Sequence, residues 1–207
     1  MFTLDTGSEG ASGPFMAWSA RGSQDGEINS KTFYVRDGGS KRPIDAAKGF
    51  VMDITSMKTG WQRSEGIAGV APEWRWNPSP AQMMASPGDD WKKGISVKVA
   101  IGGGNVATWE QAGAATWQAI VKLVPSLQAQ PGPNMLPLVR MTGTEAMQFK
   151  RGSTIAPVLE VVKWVERPEC LNQNVVAGFA IEPAAPAPAA KAAPAPQPAV
   201  ADDDLEF

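Results

Sequence analysis

Short apolar or aromatic runs alternate along this chain with stretches rich in Gly, Ser, Asn and Pro, and the spacing predicts strands far more often than helices. Residues 15–20, 31–36 and 49–57 are runs of this kind. Ile95, Val97, Val99 and Ile101 alternate with Ser96, Lys98 and Ala100, the period of a half-buried strand. Further strands are expected over 136–142 and 155–165, where Pro137 and Pro157 place the strand starts near a sheet edge or a bulge. One segment has helical spacing. Thr108 is a natural N-cap with Gln111 three residues on, and Trp109, Ala112, Trp117, Ile120, Val121 and Val124 would then share a face. Pro125 is expected to stop that helix. The pattern predicts a mainly β domain of about five to six strands with one helix.

Between Lys58 and Lys93 the regular period fades, and Pro72, Pro78, Pro80 and Pro87 interrupt the chain. The segment reads as one long loop, 58–93, of the kind that usually carries function. Trp61, Trp74, Trp76 and Trp91 lie in it, half of the eight tryptophans, so plain disorder does not account for it. Lys58, Arg63, Arg75, Lys92 and Lys93 are interleaved with the rings, most densely at Glu73-Trp74-Arg75-Trp76. A core role for any one of these rings is as good a reading as an exposed one; for all four together it is the weaker reading.

Composition narrows the chemistry. The chain has 207 residues and no histidine, which removes His-dependent triads, His-containing zinc sites and the commonest neutral-pH general base. The single cysteine, Cys170, excludes an internal disulfide and reads as structural, in keeping with a reducing cytoplasm. Asp89-Asp90 follows Ser86-Pro87-Gly88 and reads as a solvated turn. No apolar run reaches the length of a membrane span, and Met1–Asp5 lacks the features of a secretory leader. Gly102-Gly103-Gly104-Asn105-Val106-Ala107 satisfies G-x-G-x-x-A, but neither the acid such a site needs about 20 residues on nor a βαβ repeat accompanies it. A flexible strand-to-helix connection is the favoured reading. No catalytic residue, metal ligand or cofactor is assigned.

The end of the sequence is of a different kind. Residues 182–201 are almost wholly Ala and Pro, too uniform to fold and semi-rigid in their extended state. At about 3.1 Å per residue, such a linker reaches roughly 60 Å. It leads to Asp202, Asp203, Asp204, Leu205, Glu206 and Phe207, where carboxylates suit Arg and Lys while Leu205 and Phe207 supply an apolar anchor. Residues 182–207 hold five acids and one base, which leaves 18 bases and 16 acids over residues 1–181, a net charge of +2. The acidic tail hides a mildly basic body.

This acidic, Phe-terminated tip on a low-complexity linker resembles the C-terminal end of bacterial and phage single-stranded DNA-binding proteins. The likeness rests on about 25 residues, and the body does not match the familiar bacterial members. The resemblance implies an OB-fold-like barrel over 1–181, a linker over 182–201 and a protein-interaction tip over 202–207. Strands, one helix and further strands suit that order. It implies binding of single-stranded DNA without marked sequence preference during replication, recombination and repair, recruitment of partner proteins through the tip, and a cytoplasmic location in a bacterium or phage-infected cell. Homo-oligomers occur in the family, but no residue here specifies an interface.

Such binders need cations along the backbone path and flat rings for bases. The expected DNA-contacting residues are Phe33, Tyr34, Arg36, Lys41, Arg42, Lys58, Trp61, Arg63, Trp74, Arg75, Trp76, Trp91, Lys92 and Lys93, with Lys150 and Arg151 adding backbone contacts. Phe33 and Tyr34 are adjacent in a strand, so only one can face DNA while the other enters the core. Two other classes remain: a non-enzymatic carbohydrate-binding or virion structural module, whose Trp rings would stack on sugars, and a nucleotide-dependent enzyme using Gly102–Gly104.

Overall fold

The computed structural model describes residues 13–66, 70–149 and 152–172. The linker, the acidic tip, Lys150 and Arg151 lie outside the described residues. The element order is β1 (Phe15–Ser19), β2 (Thr32–Asp37), β3 (Ser40–Ile44), β4 (Phe50–Arg63), β5 (Glu73–Trp76), β6 (Lys92–Ile101), β7 (Asn105–Ala112), α1 (Ala114–Leu127), β8 (Met135–Phe149) and β9 (Gly152–Glu166). The domain is mainly β with one α-helix among the described residues, and nine strands replace the five to six expected.

All nine strands belong to one sheet of order β3-β2-β1-β7-β6-β4-β8-β9, with β5 paired to the far end of β4. Each pairing is antiparallel except β1 with β7. That parallel contact is only two residues long, and a side chain extends it. The Gln111 amide accepts from the Trp18 N–H at 2.8 Å and donates to the Trp18 carbonyl at 2.9 Å, as a neighbouring strand would.

The sheet curls because its long strands are bulged. The β4/β6 register slips between Asp53 and Lys58, and the β8/β9 register slips between Leu138 and Val139 and again between Met141 and Gly143. Curling brings the β8–β9 hairpin back towards β1, where Trp18 Nε1 donates to the Ile155 carbonyl at 2.9 Å and Arg21 Nη2 to that of Ser153 at 2.8 Å. Inside the curl, Trp18, Phe33, Phe50 and Trp109 meet with ring centroids 5.0–6.2 Å apart, mostly edge-on. Met16, Met52, Ile95, Val97, Val99 and Val139 complete this core, and α1 packs Ile120 and Leu123 into it.

The expected helix start is corrected. Residues 105–112 form β7, with Ala107 and Trp109 buried and Thr108 and Glu110 pointing the other way. The alternation of period two outweighs the apparent capping box, because Trp109 gains the core. Thr108 caps no helix: its N–H donates to the Pro14 carbonyl at 2.8 Å. The helix begins after Gly113, which has φ 131°, and buries Thr116, Ala119, Ile120 and Leu123 while Val121 and Val124 stay exposed. Pro125 lies inside its last turn rather than ending it, and Leu127 beyond it still packs against the core. The glycine run is corrected too. Gly102–Gly104 turns β6 into β7, a strand-to-strand connection with φ 75° at both Gly103 and Gly104.

A second, smaller cluster lies on the opposite face. Leu171 and Cys170, in the 3₁₀ turn Glu169–Leu171, cover Ala100 and Leu136. Arg167 fastens this turn to the β4 bulge, its Nη2 2.9 Å from both oxygens of the buried Asp53 and 2.9 Å from Thr55 Oγ1. Replacing Phe33 by Ala should remove about 3–5 kcal/mol of stability, read as a lower urea midpoint. A midpoint within error of the parent would mean that the ring does not hold the core together.

Candidate functional site

The pleat separates the residues of β4, β5 and β6 onto two faces. On the core side, Trp61 pairs with Arg75 of β5 and with Lys93 of β6. On the outer side, Gly60 pairs with Trp76 and Gly94, and Gln62 with Trp74 and Lys92. The interleaving of Trp with Arg in 73–76 therefore puts rings and cations on opposite sides of the sheet. The expected long loop is corrected as well: its first part is the end of β4, Glu73–Trp76 forms β5 as a hairpin arm, Lys92 and Lys93 open β6, and among the described residues 64–66, 70–72 and 77–91 lie outside the named strands.

On the core side the rings are largely covered. Trp61 is 8% exposed and donates its indole N–H to the Met84 carbonyl at 3.0 Å. Trp91 is 9% exposed beneath two guanidiniums, with Arg75 4.9 Å and Arg63 5.5 Å from its ring centroid. Glu73 bridges the same two arginines, 2.8 Å from Arg63 and 3.6 Å from Arg75. Lys93 lies 5.6 Å from both the Trp61 and Trp117 centroids. The 77–91 segment is fixed by Asn77, whose Nδ2 donates to Thr59 Oγ1 at 2.8 Å and whose Oδ1 accepts from the Met84 N–H at 3.0 Å. These aromatic and basic side chains build a structural corner.

The outer side differs. Trp74 and Trp76 stack nearly parallel, with centroids 4.2 Å apart and planes 10° from parallel, and both are half-exposed. They lie so close to the sheet that only glycine fits beneath. A Cβ on Gly94 would fall 2.7 Å from Trp74 and 2.8 Å from Ala112, and one on Gly60 would fall 2.4 Å from the Arg75 carbonyl oxygen. The same face continues across the sheet in register. One row runs Arg36, Phe15, Thr108, Lys98 and Asp53. Glu110, Ser96 and Lys58 form part of the next, with Tyr34 opposite Ala17 towards the β2 side. From β2 to β4 this face spans four strand spacings, roughly 19 Å.

Of the expected contact residues, Tyr34, Arg36, Lys58, Trp74, Trp76 and Lys92 share this outer face. Phe33 is in the core at 1% exposure, and Trp61 and Trp91 are covered, so none of these three rings offers a free face. Arg63, Arg75 and Lys93 serve the other side of the sheet. Lys41 pairs with Arg36 across β2 and β3 but is bound to Asp25, with Glu27 3.6 Å away, and it holds the Asp25 carboxyl well below the usual range. Arg42 belongs to the rim of a separate cavity of about 410 Å³, floored by Val35, Ile44, Ala46 and Phe50 and edged by Lys48, Gly102 and Asn105. Sequence reasoning missed Thr108, Glu110 and the bedding glycines. The first two were hidden by the helical reading; Ser96 and Lys98 were already marked by their alternation.

Two acids stand on this face: Asp53, which Arg167 holds, and Glu110. Burial raises the pKa of Glu110, while hydrogen bonding from Ser96, the nearby Trp74 indole and the charge of Lys58 act in the opposite direction. The Trp74 indole N–H is itself buried without a full hydrogen bond. Compared with protein-family models, curated proteins and solved structures, the chain matches none.

Gly94→Ala should unseat Trp74 and cost about 1–3 kcal/mol through overpacking. Loss of the circular-dichroism exciton couplet of the stacked indoles checks this, and an intact couplet would mean that the bedding is not required.

Proposed function

We propose that the outer sheet face binds single-stranded DNA and that the protein coats exposed strand as the single-stranded DNA-binding proteins do. The observation that carries this is the Trp74–Trp76 stack raised on Gly60 and Gly94, with Lys58 and Lys92 beside it and Tyr34 and Arg36 across the same face. Bases need flat, partly exposed rings, worth about 1–3 kcal/mol each by alanine substitution, and phosphates need cations along the same path. Both occur here on one open surface. Sugars would also stack on the tryptophans, but the flanking cations favour a polyanion. An OB-like relationship belongs to the same proposal: a curled, mostly antiparallel sheet wrapped on one helix that precedes the last two strands.

The acidic tip completes the mechanism. The last described turn, Glu169–Leu171, packs on the outer side of the sheet against Ala100. The described chain thus ends on the side proposed for DNA, which supports a tip that competes for the cations when DNA is absent and is released to partner proteins when the strand is filled. Replication, recombination and repair proteins with basic, apolar-lined pockets are the proposed partners, in a bacterial or phage-infected cytoplasm.

Tryptophan fluorescence during titration with oligo-dT should show strong quenching, with affinity that falls steeply with salt. Trp74→Ala and Trp76→Ala should each weaken binding by about 1–3 kcal/mol. Lys58→Gln and Lys92→Gln should each lower the salt slope by about one, whereas Lys93→Gln should leave it nearly unchanged. Absence of binding at low salt would end this proposal.

Removing residues 183–207 should tighten DNA binding and abolish recruitment of partners; unchanged affinity would remove the competition by the tip while leaving the binding face in place.

A further inference from the structure

On the outer face, the strand pairing sets Glu110 opposite Ser96, and Ser96 opposite Lys58. Two residues further along β7 is Ala112, which pairs with Gly94 beneath the Trp74 ring. A carboxylate therefore sits at the edge of the stacking platform, beside the Trp74 ring that lies over Gly94 and Ala112. A general phosphate-binding surface has no use for it, because a negative charge there repels the backbone. Burial pushes its pKa above the ordinary value, and the Ser96 hydroxyl, the Trp74 indole and the Lys58 ammonium oppose that rise.

A carboxylate only accepts hydrogen bonds, so it distinguishes bases by the donors on their edges. Cytosine offers an amino group, adenine another, and guanine an imino and an amino N–H side by side. Thymine offers one imino N–H flanked by two carbonyl oxygens, which face a carboxylate unfavourably. Single-stranded bases expose these edges because no complement covers them. A base lying on Trp74 or Trp76 would present its edge along the face on which Glu110 stands.

We propose that Glu110 is a specificity-determining residue that makes at least one nucleotide position of the site prefer an amino-bearing base over thymine. Ser96 orients the carboxylate and Lys58 offsets its repulsion of the backbone. This rests on the single-strand reading of the face. It adds a base preference to a surface whose stacking alone would be indifferent to sequence.

The test compares oligo-dC and oligo-dT of equal length at one salt concentration, binding to the full chain and to its Glu110→Gln variant. The parent should favour oligo-dC by roughly fivefold, the worth of about one net hydrogen bond to a charged acceptor that is partly exposed. Glu110→Gln should strengthen binding to both ligands, since a negative charge is lost, and should bring the ratio close to one, because a carboxamide also donates to the thymine carbonyls. Lys58→Gln should weaken both ligands equally and leave the ratio unchanged. A ratio that stays the same in Glu110→Gln while both ligands bind would overturn the base-reading role and leave the DNA-binding face standing. Failure of both oligonucleotides to bind the parent would overturn the underlying proposal, and this one with it.

Discussion

The packing of four rings against one another fixes most of what else this domain can do. Trp18, Phe33, Phe50 and Trp109 come from β1, β2, β4 and β7, and their edge-on contacts lock the four strands to one side of the curl. In a strand every second residue is then committed inward. With Phe33 inside, Tyr34 and Arg36 must face out, and with Trp109 inside, Thr108 and Glu110 must face out. The composition of the outer surface is thus the complement of the core, set by register rather than by any local motif. A slip of one residue in β2 or β7 would bury the charges and expose the rings.

The far end of β4 and β6 shows the same rule acting on a different residue set. There both faces of the sheet carry tryptophan. What separates a structural ring from an available one is its neighbour across the strand. Trp61 lies under the Lys93 ammonium and Trp91 under the Arg63 and Arg75 guanidiniums, and both rings are nearly covered. Trp74 and Trp76 lie over glycine, so they bed on backbone and keep an outward face. The absence of side chains at Gly60 and Gly94 does as much to build the platform as the rings do.

Much of the β architecture was legible in the chain. The alternation over Ile95–Ile101, the split between Phe33 and Tyr34, and the edge position of Pro157 follow from local pattern and appear in the fold. The helix boundary was not legible, because a serviceable cap at Thr108 competes with the burial of Trp109, and the larger apolar gain wins only once the partner strands are known. The division of the Trp-rich segment into two faces was hidden for a related reason. Nothing in 58–93 itself tells that Glu73–Trp76 pairs with β4, and without that pairing an alternating Trp-Arg sequence reads as a mixed surface. The bedding glycines are legible only through contacts between distant strands. The linker and the acidic tip are readings of composition alone and lie outside the described residues.

The far edge of the sheet carries a consequence of its own. Residues 153, 155 and 157 of β9 share its outward edge, since backbone groups alternate along a strand. The carbonyls of Ser153 and Ile155 are occupied by Arg21 and the Trp18 indole, and Pro157 has no N–H to offer. An incoming strand from another molecule would find half its ladder already taken and a rung missing. That stretch of the longest exposed edge is sealed against amyloid-like growth, which matters for a protein whose proposed task is to crowd many copies side by side.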